Sequence, residues 1–173
     1  MKQEIISEFI MENLWAPWRL EYIAGDAEKI EGCIFCEVVK QNNDKKNHIV
    51  YRGKYCYVIL NKFPYNNGHI MIVPYHHTGD WLELKDEIQA ECYQLINKTI
   101  RILRKVFKPN AINLGMNMGK AAGAGIDEHI HYHLLPRWEG DTNFMPVIAG
   151  TKVISESLDS AYRKLSAAFA EVE

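Results

Sequence analysis

Three histidines stand at alternate positions in the run His129-Ile130-His131-Tyr132-His133. Because successive side chains of a β-strand point to opposite faces, this alternation predicts a strand over residues 129–135 with all three imidazoles on one face. A helix would scatter the same residues over its surface. Imidazoles that share a face can act on a substrate or hold a metal ion. The pattern favours catalysis, and a purely structural metal cluster is the alternative.

A second chemical feature is the CxxC motif Cys33-Ile34-Phe35-Cys36, which follows Gly32. A tetrahedral zinc site needs four nitrogen or sulfur donors, so one cysteine pair leaves two positions for histidines. The available donors are His76, His77 and one histidine of the alternating run. A redox-active pair of the thioredoxin kind is the alternative, but no βαβ pattern surrounds the motif. The motif therefore favours zinc and leaves the two histidine ligands open.

The remaining periodicities predict an α+β domain. β-Rich runs at residues 48–52 and 55–60 flank a two-residue turn with glycine, which predicts a hairpin, and residues 69–73 predict a third strand. Apolar residues then recur every three or four positions over residues 83–107, as on the buried side of a long helix. Further patterns predict a strand at 111–117, a C-terminal helix at 158–172 and a short N-terminal helix at 5–10. Short strands with the helices set apart favour an antiparallel sheet meander over a doubly wound parallel sheet.

Length and charge restrict the organisation and the partners. We expect one domain over residues 1–173, with its core at about 30–140 and extensions at both ends. A net charge of −2 offers no basic face for nucleic acid, so a nucleotide ligand needs a local site. The apolar runs are too short to span a membrane, and Glu4, Glu8 and Glu12 interrupt any signal-peptide core. We therefore expect a cytoplasmic protein whose four cysteines are reduced thiols.

Two loops are rich in residues that form turns. Residues 61–68, with the sequence Asn-Lys-Phe-Pro-Tyr-Asn-Asn-Gly, are expected to deliver His69 to the start of a strand. Residues 119–125, with the sequence Gly-Lys-Ala-Ala-Gly-Ala-Gly, do not form a P-loop, because no hydroxyl follows Lys120 and a strand comes next. Their small side chains could let backbone amides approach a phosphate, and a flexible connection is the alternative.

Together these motifs resemble the histidine triad (HIT) family, whose motif is HφHφHφφ with φ a hydrophobic residue. The resemblance rests on His129 to Leu135, Gly32 to Cys36, Asn61 to His69 and Ile72-Val73-Pro74, and it covers about residues 14–153. Leu14 to Arg19 and Pro136 to Phe144 are most similar to the diadenosine tetraphosphate phosphorylase branch, with the Fhit-type hydrolases next. The resemblance implies a HIT-like fold, a nucleotide hydrolase or transferase, and a homodimer.

The resemblance also implies a two-step reaction at the α-phosphorus of a nucleotide. His131 would be the nucleophile that becomes nucleotidyl-histidine, His133 would hydrogen-bond a phosphate oxygen, and His69 would support the triad. Asn61 would contact the ribose, and Ile34 and Phe35 would line the base pocket. The implied zinc ligands are Cys33, Cys36, His77 and His129. Such a zinc ion would be structural, since four protein donors leave no open position.

One position departs from the family pattern. Many phosphoramidase-type members carry a serine three residues before the triad, where this chain has Ile126. Isoleucine has no hydroxyl to assist the leaving group, which favours cleavage of diadenosine polyphosphates, with water or phosphate as the acceptor. Candidate contacts for that substrate are Asn117, Lys120 and the amides of Gly123 and Gly125, with Trp138 as a further nucleotide contact. A Hint-type purine nucleoside phosphoramidase and a non-catalytic, zinc-stabilised nucleotide-binding module are the alternatives.

Overall fold

The computed structural model describes residues 32–149 and 152–172. Its helices are α1 (Ile34–Lys40), α2 (Asp44–Asn47), α3 (Asp86–Phe107), α4 (Met145–Ala149) and α5 (Leu158–Glu171). Its strands are β1 (Ile49–Arg52), β2 (Cys56–Leu60), β3 (Ile70–Pro74), β4 (Ala111–Met116) and β5 (Tyr132–Arg137). Short 3₁₀ turns occupy Trp81–Glu83 and Lys120–Ala122. The helix expected at residues 5–10 and the segment from Leu14 to Arg19 lie outside the described residues, and the single domain over 1–173 stays a prediction.

The five strands form one antiparallel sheet in the order β1-β2-β3-β5-β4. The first three strands form a meander, as the hairpin and turn signals predict. Helix α3 then leads to β4 at the far edge of the sheet, and β5 returns between β3 and β4. The predicted α+β class with an antiparallel sheet is confirmed. Because β5 returns in this way, His133 pairs with Met71 of β3 on one side and Gly115 of β4 on the other.

Helices α3 and α5 pack against one face of the sheet and form the main core. Their buried residues are Cys92, Leu95, Ile96, Thr99, Ile102 and Leu103 in α3, and Ala161, Leu165, Ala168 and Phe169 in α5. These helical stripes meet Val58, Ile72 and Leu134 of the sheet, all of them fully buried, and burial of such apolar surface is the main favourable contribution to folding. The predicted helix starts later than expected, at Asp86, because Trp81–Glu83 form a separate turn capped by Asp80. Among the described residues, no helix is long and apolar enough to cross a membrane.

The opposite face of the sheet carries the chemically interesting residues. Leu134 belongs to the helix-covered core, so the alternation along β5 turns His133 to the other face. Helix α1 is fixed there by Tyr57 of β2, whose hydroxyl donates to the carbonyl oxygen of Phe35 at 2.8 Å. The sheet therefore brings the CxxC motif and the alternating histidines to the same side of the molecule.

The strand predicted over residues 129–135 begins later, at Tyr132. Strand β3 pairs with β5 only from Tyr132 to Leu134, and the preceding segment follows the loop after β3 instead, where the N–H of Ile130 donates to Thr78 O at 2.7 Å. Gly79 permits this close approach, because a Cβ atom there would overlap the carbonyl oxygen of Asp127. His129 and His131 consequently precede the strand, and only His133 lies within it.

Candidate active site

Five aromatic rings form a row on this side of the molecule. They are those of Phe35, His131, His133, His69 and Tyr65, and the centroids of neighbouring rings are 4.8, 4.7, 5.0 and 4.7 Å apart. The three imidazoles and Phe35 are buried, whereas Tyr65 is 55% exposed. The row therefore runs from the protein interior to the surface, with the histidines in the middle.

The hydrogen bond of His131 fixes the position of its proton. Its Nδ1 atom lies 2.8 Å from the backbone carbonyl oxygen of His129. A carbonyl oxygen can only accept, so Nδ1 carries the proton and donates it. The lone pair is then on Nε2, which hydrogen-bonds to none of the described residues. A neutral imidazole with a free Nε2 lone pair is a nucleophile near neutral pH.

His69 and His133 have the opposite arrangement. Nδ1 of His69 accepts the backbone N–H of Tyr65 at 3.1 Å, and the amide nitrogen of Asn61 lies 3.2 Å away. A backbone N–H can only donate, so the proton of His69 is on Nε2, which donates to Nδ1 of His133 at 2.9 Å. The proton of His133 is therefore on its own Nε2. One backbone N–H thus fixes two tautomers and leaves His133 with an N–H that can be donated to a ligand.

Burial keeps these rings neutral. Desolvation, with smaller effects from His133 and His131, lowers the pKa of His69 to about 3. Desolvation, helped by His131, lowers the pKa of His133 to about 4. Burial also lowers the pKa of His131, although the hydrogen bond to His129 opposes this. At neutral pH the site therefore offers one unprotonated nucleophile and neutral N–H donors.

Replacing His69 with glutamine should make the stability of the protein less sensitive to acid. Histidine has an ordinary pKa of 6.5, and the folded protein holds that of His69 at about 3. Between about pH 6 and pH 4 the unfolded chain therefore binds a proton that the folded chain does not. The pKa falls on folding, so the free energy of unfolding decreases as pH falls, by about 1.4 kcal/mol per pH unit for this group. The measurement is urea unfolding at several pH values in this range. The unfolding free energy of the variant should change less with pH than that of wild type, and an equal pH dependence would contradict this prediction.

A second cluster lies beside the row of rings, at the start of α1. The ligand atoms of Cys33, Cys36, His77 and His129 all lie within 4.8 Å of one another. Nδ1 of His129 is 3.2 Å from Cys33 Sγ, 3.6 Å from Cys36 Sγ and 3.2 Å from Nδ1 of His77. Donors around a tetrahedral zinc ion are about 3.3 to 3.8 Å apart at the usual bond lengths. The donor types and spacing fit zinc, and His76 lies outside this cluster.

The tautomer of His129 also fits a metal site. Its Nε2–H donates to the carbonyl oxygen of Pro74 at 2.9 Å, which directs the lone pair of Nδ1 toward the two sulfurs. A backbone carbonyl that holds the other ring nitrogen is a common partner of metal-binding histidines. Burial lowers the pKa of His129 to about 4, so its ring is neutral, as a metal ligand requires. His129 and His131 therefore have different surroundings although they are two positions apart.

Phe35, one of the predicted nucleotide contacts, belongs to the row of rings, and two others, Ile34 and Asn61, are next to members of that row. The ring of Phe35 packs 4.8 Å from that of His131 and 5.4 Å from that of His129, and neighbouring Ile34 is 39% exposed. An apolar surface next to the nucleophile suits a nucleotide base. Asn61 follows β2, and its amide nitrogen approaches His69. The structure thus brings Phe35 and Asn61 to the histidines, with the exposed Ile34 next to Phe35 in α1.

The loop at residues 119–125 leads toward the histidines. Gly119 and Gly123 have φ angles of +80° and +87°, which glycine adopts without strain. The amide nitrogen of Asn117 donates to the carbonyl oxygen of Gly123 at 3.4 Å, which closes the loop. Lys120 is largely exposed, and a Cβ atom at Gly125 would meet open space. The proposed phosphate contacts of these four residues, Asn117, Lys120, Gly123 and Gly125, stay predictions.

Trp138 is held by a network that the sequence does not predict. Its indole N–H donates to the carbonyl oxygen of Phe107 at the end of α3, and its backbone N–H donates to the carboxylate of Asp141. The described contacts join Trp138 to this helix end and to no histidine, so its nucleotide contact stays a prediction. Asp141 also binds Asn66, in the loop that precedes His69. The only sequence signal for the contact between Asp141 and Asn66 was the resemblance of Pro136 to Phe144 to the family.

A family model of the HIT domain matches residues 42–140 of the chain. The chain belongs to the histidine triad family. It is 37% identical to an AP-4-A phosphorylase of Mycobacterium tuberculosis over 167 aligned residues, which cover 92% of this chain and 85% of that protein. It is 30% identical over 105 residues to an adenosine 5'-monophosphoramidase of Saccharomyces cerevisiae, and the match covers 61% of this chain and 62% of that protein.

A solved histidine triad protein has a similar fold. The crystal structure of a zinc-bound histidine triad family protein from Mycobacterium smegmatis matches with a TM-score of 0.66 and 26% identity, covering 82% of this chain and 95% of that chain. The HIT-like fold is therefore confirmed. The prediction of an enzyme, a nucleotide hydrolase or transferase of this family, is confirmed as well.

Proposed function

We propose that this histidine triad protein cleaves diadenosine polyphosphates such as diadenosine tetraphosphate through an adenylyl-His131 intermediate. The observation that carries the proposal is the pair of tautomers that the hydrogen bonds of His131 and His133 set. His131 has a free Nε2 lone pair, and the adjacent ring of His133, 4.7 Å away, has its proton on Nε2. The 37% identity to an AP-4-A phosphorylase over most of both chains supports this choice of substrate.

In the first step, the lone pair of His131 Nε2 forms a bond to one α-phosphorus of diadenosine tetraphosphate. The bond from that phosphorus to its bridging oxygen breaks, and ATP leaves with the electron pair. The ring of His131 becomes positively charged, and its Nδ1–H, held by the carbonyl oxygen of His129, disperses that charge. The Nε2–H of His133 donates to a phosphate oxygen and stabilises the charge that develops there.

In the second step, the adenylyl group passes to an acceptor. An oxygen of inorganic phosphate attacks the phosphorus, the P–N bond breaks, and its electron pair returns to His131 Nε2 as ADP is released. Water in place of phosphate would give AMP and a proton. We take phosphate as the acceptor, because the similar protein of Mycobacterium tuberculosis is named a phosphorylase.

Incubation with diadenosine tetraphosphate should give ADP and ATP in equal amounts when phosphate is present. The measurement is anion-exchange chromatography of the products, with and without phosphate. AMP and ATP formed equally in both samples would exclude phosphorolysis and leave hydrolysis by the same intermediate. If neither sample contains any product, the proposed substrate is wrong.

A phosphoramidase is the second candidate, because of the 30% identity to the yeast adenosine 5'-monophosphoramidase. Ile126 opposes it, since an amine leaving group gains most from a nearby hydroxyl. A purine nucleoside phosphoramidate tested beside diadenosine tetraphosphate distinguishes the two candidates. A larger kcat/KM for the phosphoramidate would favour this second function.

We also propose a structural zinc ion held by Cys33, Cys36, His77 and His129, supported by the fit of the donor set and by the zinc-bound relative. When bound, zinc would link α1 to the segment that carries the catalytic histidines.

A homodimer is the proposed oligomeric state. It is supported by β4, which pairs only with β5 among the described strands and leaves Leu114 48% exposed. A cytoplasmic location stays a prediction.

A further inference from the structure

The loop at residues 61–68 is attached to the rest of the protein by Asn66. This side chain is only 5% exposed, and its Nδ2 donates to the carbonyl oxygen of Pro136 at 2.9 Å and to Asp141 Oδ2 at 2.7 Å. The backbone oxygen of Asn66 accepts the N–H of His69 at 3.2 Å. Asn66 therefore contacts the main chain of His69 through its backbone oxygen and contacts Asp141 through its side chain.

Asp141 meets more donors than any neutral side chain could satisfy. Its side chain is 8% exposed, and besides Asn66 it accepts Arg137 Nε at 2.7 Å, Arg137 Nη2 at 3.0 Å and the N–H of Trp138 at 3.1 Å. The hydrogen bond from Arg137 is the largest of the effects that hold the pKa of Asp141 far below its usual range. An ionised carboxylate has only acceptors, whereas an amide would turn one N–H₂ group toward these donors. The site thus requires aspartate rather than asparagine.

We propose that Asp141 is a positioning residue for His69. Through Asn66 it holds the loop at residues 61–68 in the conformation that brings the backbone N–H of Tyr65 to Nδ1 of His69. That N–H sets the tautomer of His69 and, through it, the tautomer of His133. The expected effect on turnover depends on the proposed function, whereas the expected effect on the tautomers does not.

Neighbouring contacts offer matched controls. Arg137 also donates through Nη1 to Asn113 Oδ1 of β4 at 2.8 Å, so Asn113→Ala disturbs the same arginine without affecting the loop. Asn67, next to Asn66, donates to Glu156 Oε2 at 3.0 Å, so Asn67→Ala removes a different contact of the same loop. A purely structural role for the network predicts that all these variants behave alike. A positioning role predicts that only changes at Asp141 and Asn66 reach His69.

The test is the ¹⁵N NMR shifts of the histidine ring nitrogens at pH 7, measured without substrate on wild type, Asp141→Asn, Asn66→Ala and the two controls. Wild type should show His69 with Nε2 protonated and Nδ1 unprotonated. In Asp141→Asn and Asn66→Ala, the two shifts of His69 should move toward each other as the tautomers mix, while those of His131 stay in place. Both controls should match wild type.

Turnover supplies the second readout. With diadenosine tetraphosphate, Asp141→Asn should lower kcat by about 10- to 100-fold and change KM by less than about threefold, because a small misplacement of catalytic groups affects mainly the transition state. Unchanged His69 shifts in a folded Asp141→Asn or Asn66→Ala variant would overturn the inference. If wild type does not cleave the substrate, the proposed function fails, while the NMR comparison still decides the role of Asp141. Asn66→Ala preserves the Asp141–Arg137 pair and decides the matter if Asp141→Asn does not fold.

Discussion

Replacing His131 with alanine should reduce cleavage of diadenosine tetraphosphate by at least about 10⁴-fold while the protein stays folded, as removal of other covalent nucleophiles does. No other imidazole in the row can substitute for it. Both nitrogens of His69 are engaged, by Tyr65 and by His133, and Nδ1 of His133 is occupied by His69. His133 retains only a protonated Nε2, which is a donor and not a nucleophile.

Mass spectrometry of protein quenched during turnover provides the decisive measurement. Wild type should carry one AMP adduct on His131, and His131→Ala should carry none. His48→Asn is the matched control, because His48 contacts Asp159 and Tyr162 and has a φ angle of +57°, which asparagine tolerates. It should keep activity within about twofold. An AMP adduct elsewhere would refute the assignment, and turnover without any adduct would exclude the covalent intermediate. Neither turnover nor an adduct would favour a binding module.

The alternation of histidines predicts part of this site correctly. His131 and His133 lie side by side, as the predicted shared face requires, although only His133 lies within β5. The alternation does not predict that β5 begins at Tyr132, because the preceding residues bond to Thr78 instead of pairing with β3. It also cannot distinguish the three rings. Their tautomers depend on backbone groups of Pro74, His129 and Tyr65, which lie near the rings only in the folded chain.

The strand order and the contacts between distant loops could not be predicted from the sequence. Turn residues and periodicity are local, and they predict the five strands, α3 and α5 to within a few residues. They do not predict the short helices α1, α2 and α4. The insertion of β5 between β3 and β4 is a packing outcome that no local signal encodes. It also brings together Asn66 and Asp141, which are 75 positions apart. The choice of His77 over His76 needed the family resemblance, because both follow the same proline and spacing alone treats them alike.

Removal of zinc should produce the largest change in stability. The four proposed ligands come from the N-terminal end of α1, from the loop after β3 and from the segment before β5, so one ion would connect three parts of the chain. Without zinc, no cation would link the two sulfurs and two ring nitrogens of this cluster. Binding free energy at such a site contributes directly to folding, because the unfolded chain lacks the preformed ligand set.

We expect one equivalent of zinc per chain by elemental analysis and a loss of about 4 kcal/mol of unfolding free energy after exhaustive chelation. For a chain of this size, that loss corresponds to a decrease in Tm of about 8 to 16 °C. His77→Ala should behave like the chelated protein and show no further change with chelator. His76→Ala is the matched control and should retain both zinc and wild-type Tm. A chelated, metal-free wild type with an unchanged Tm would show that the cluster does not stabilise the fold through zinc.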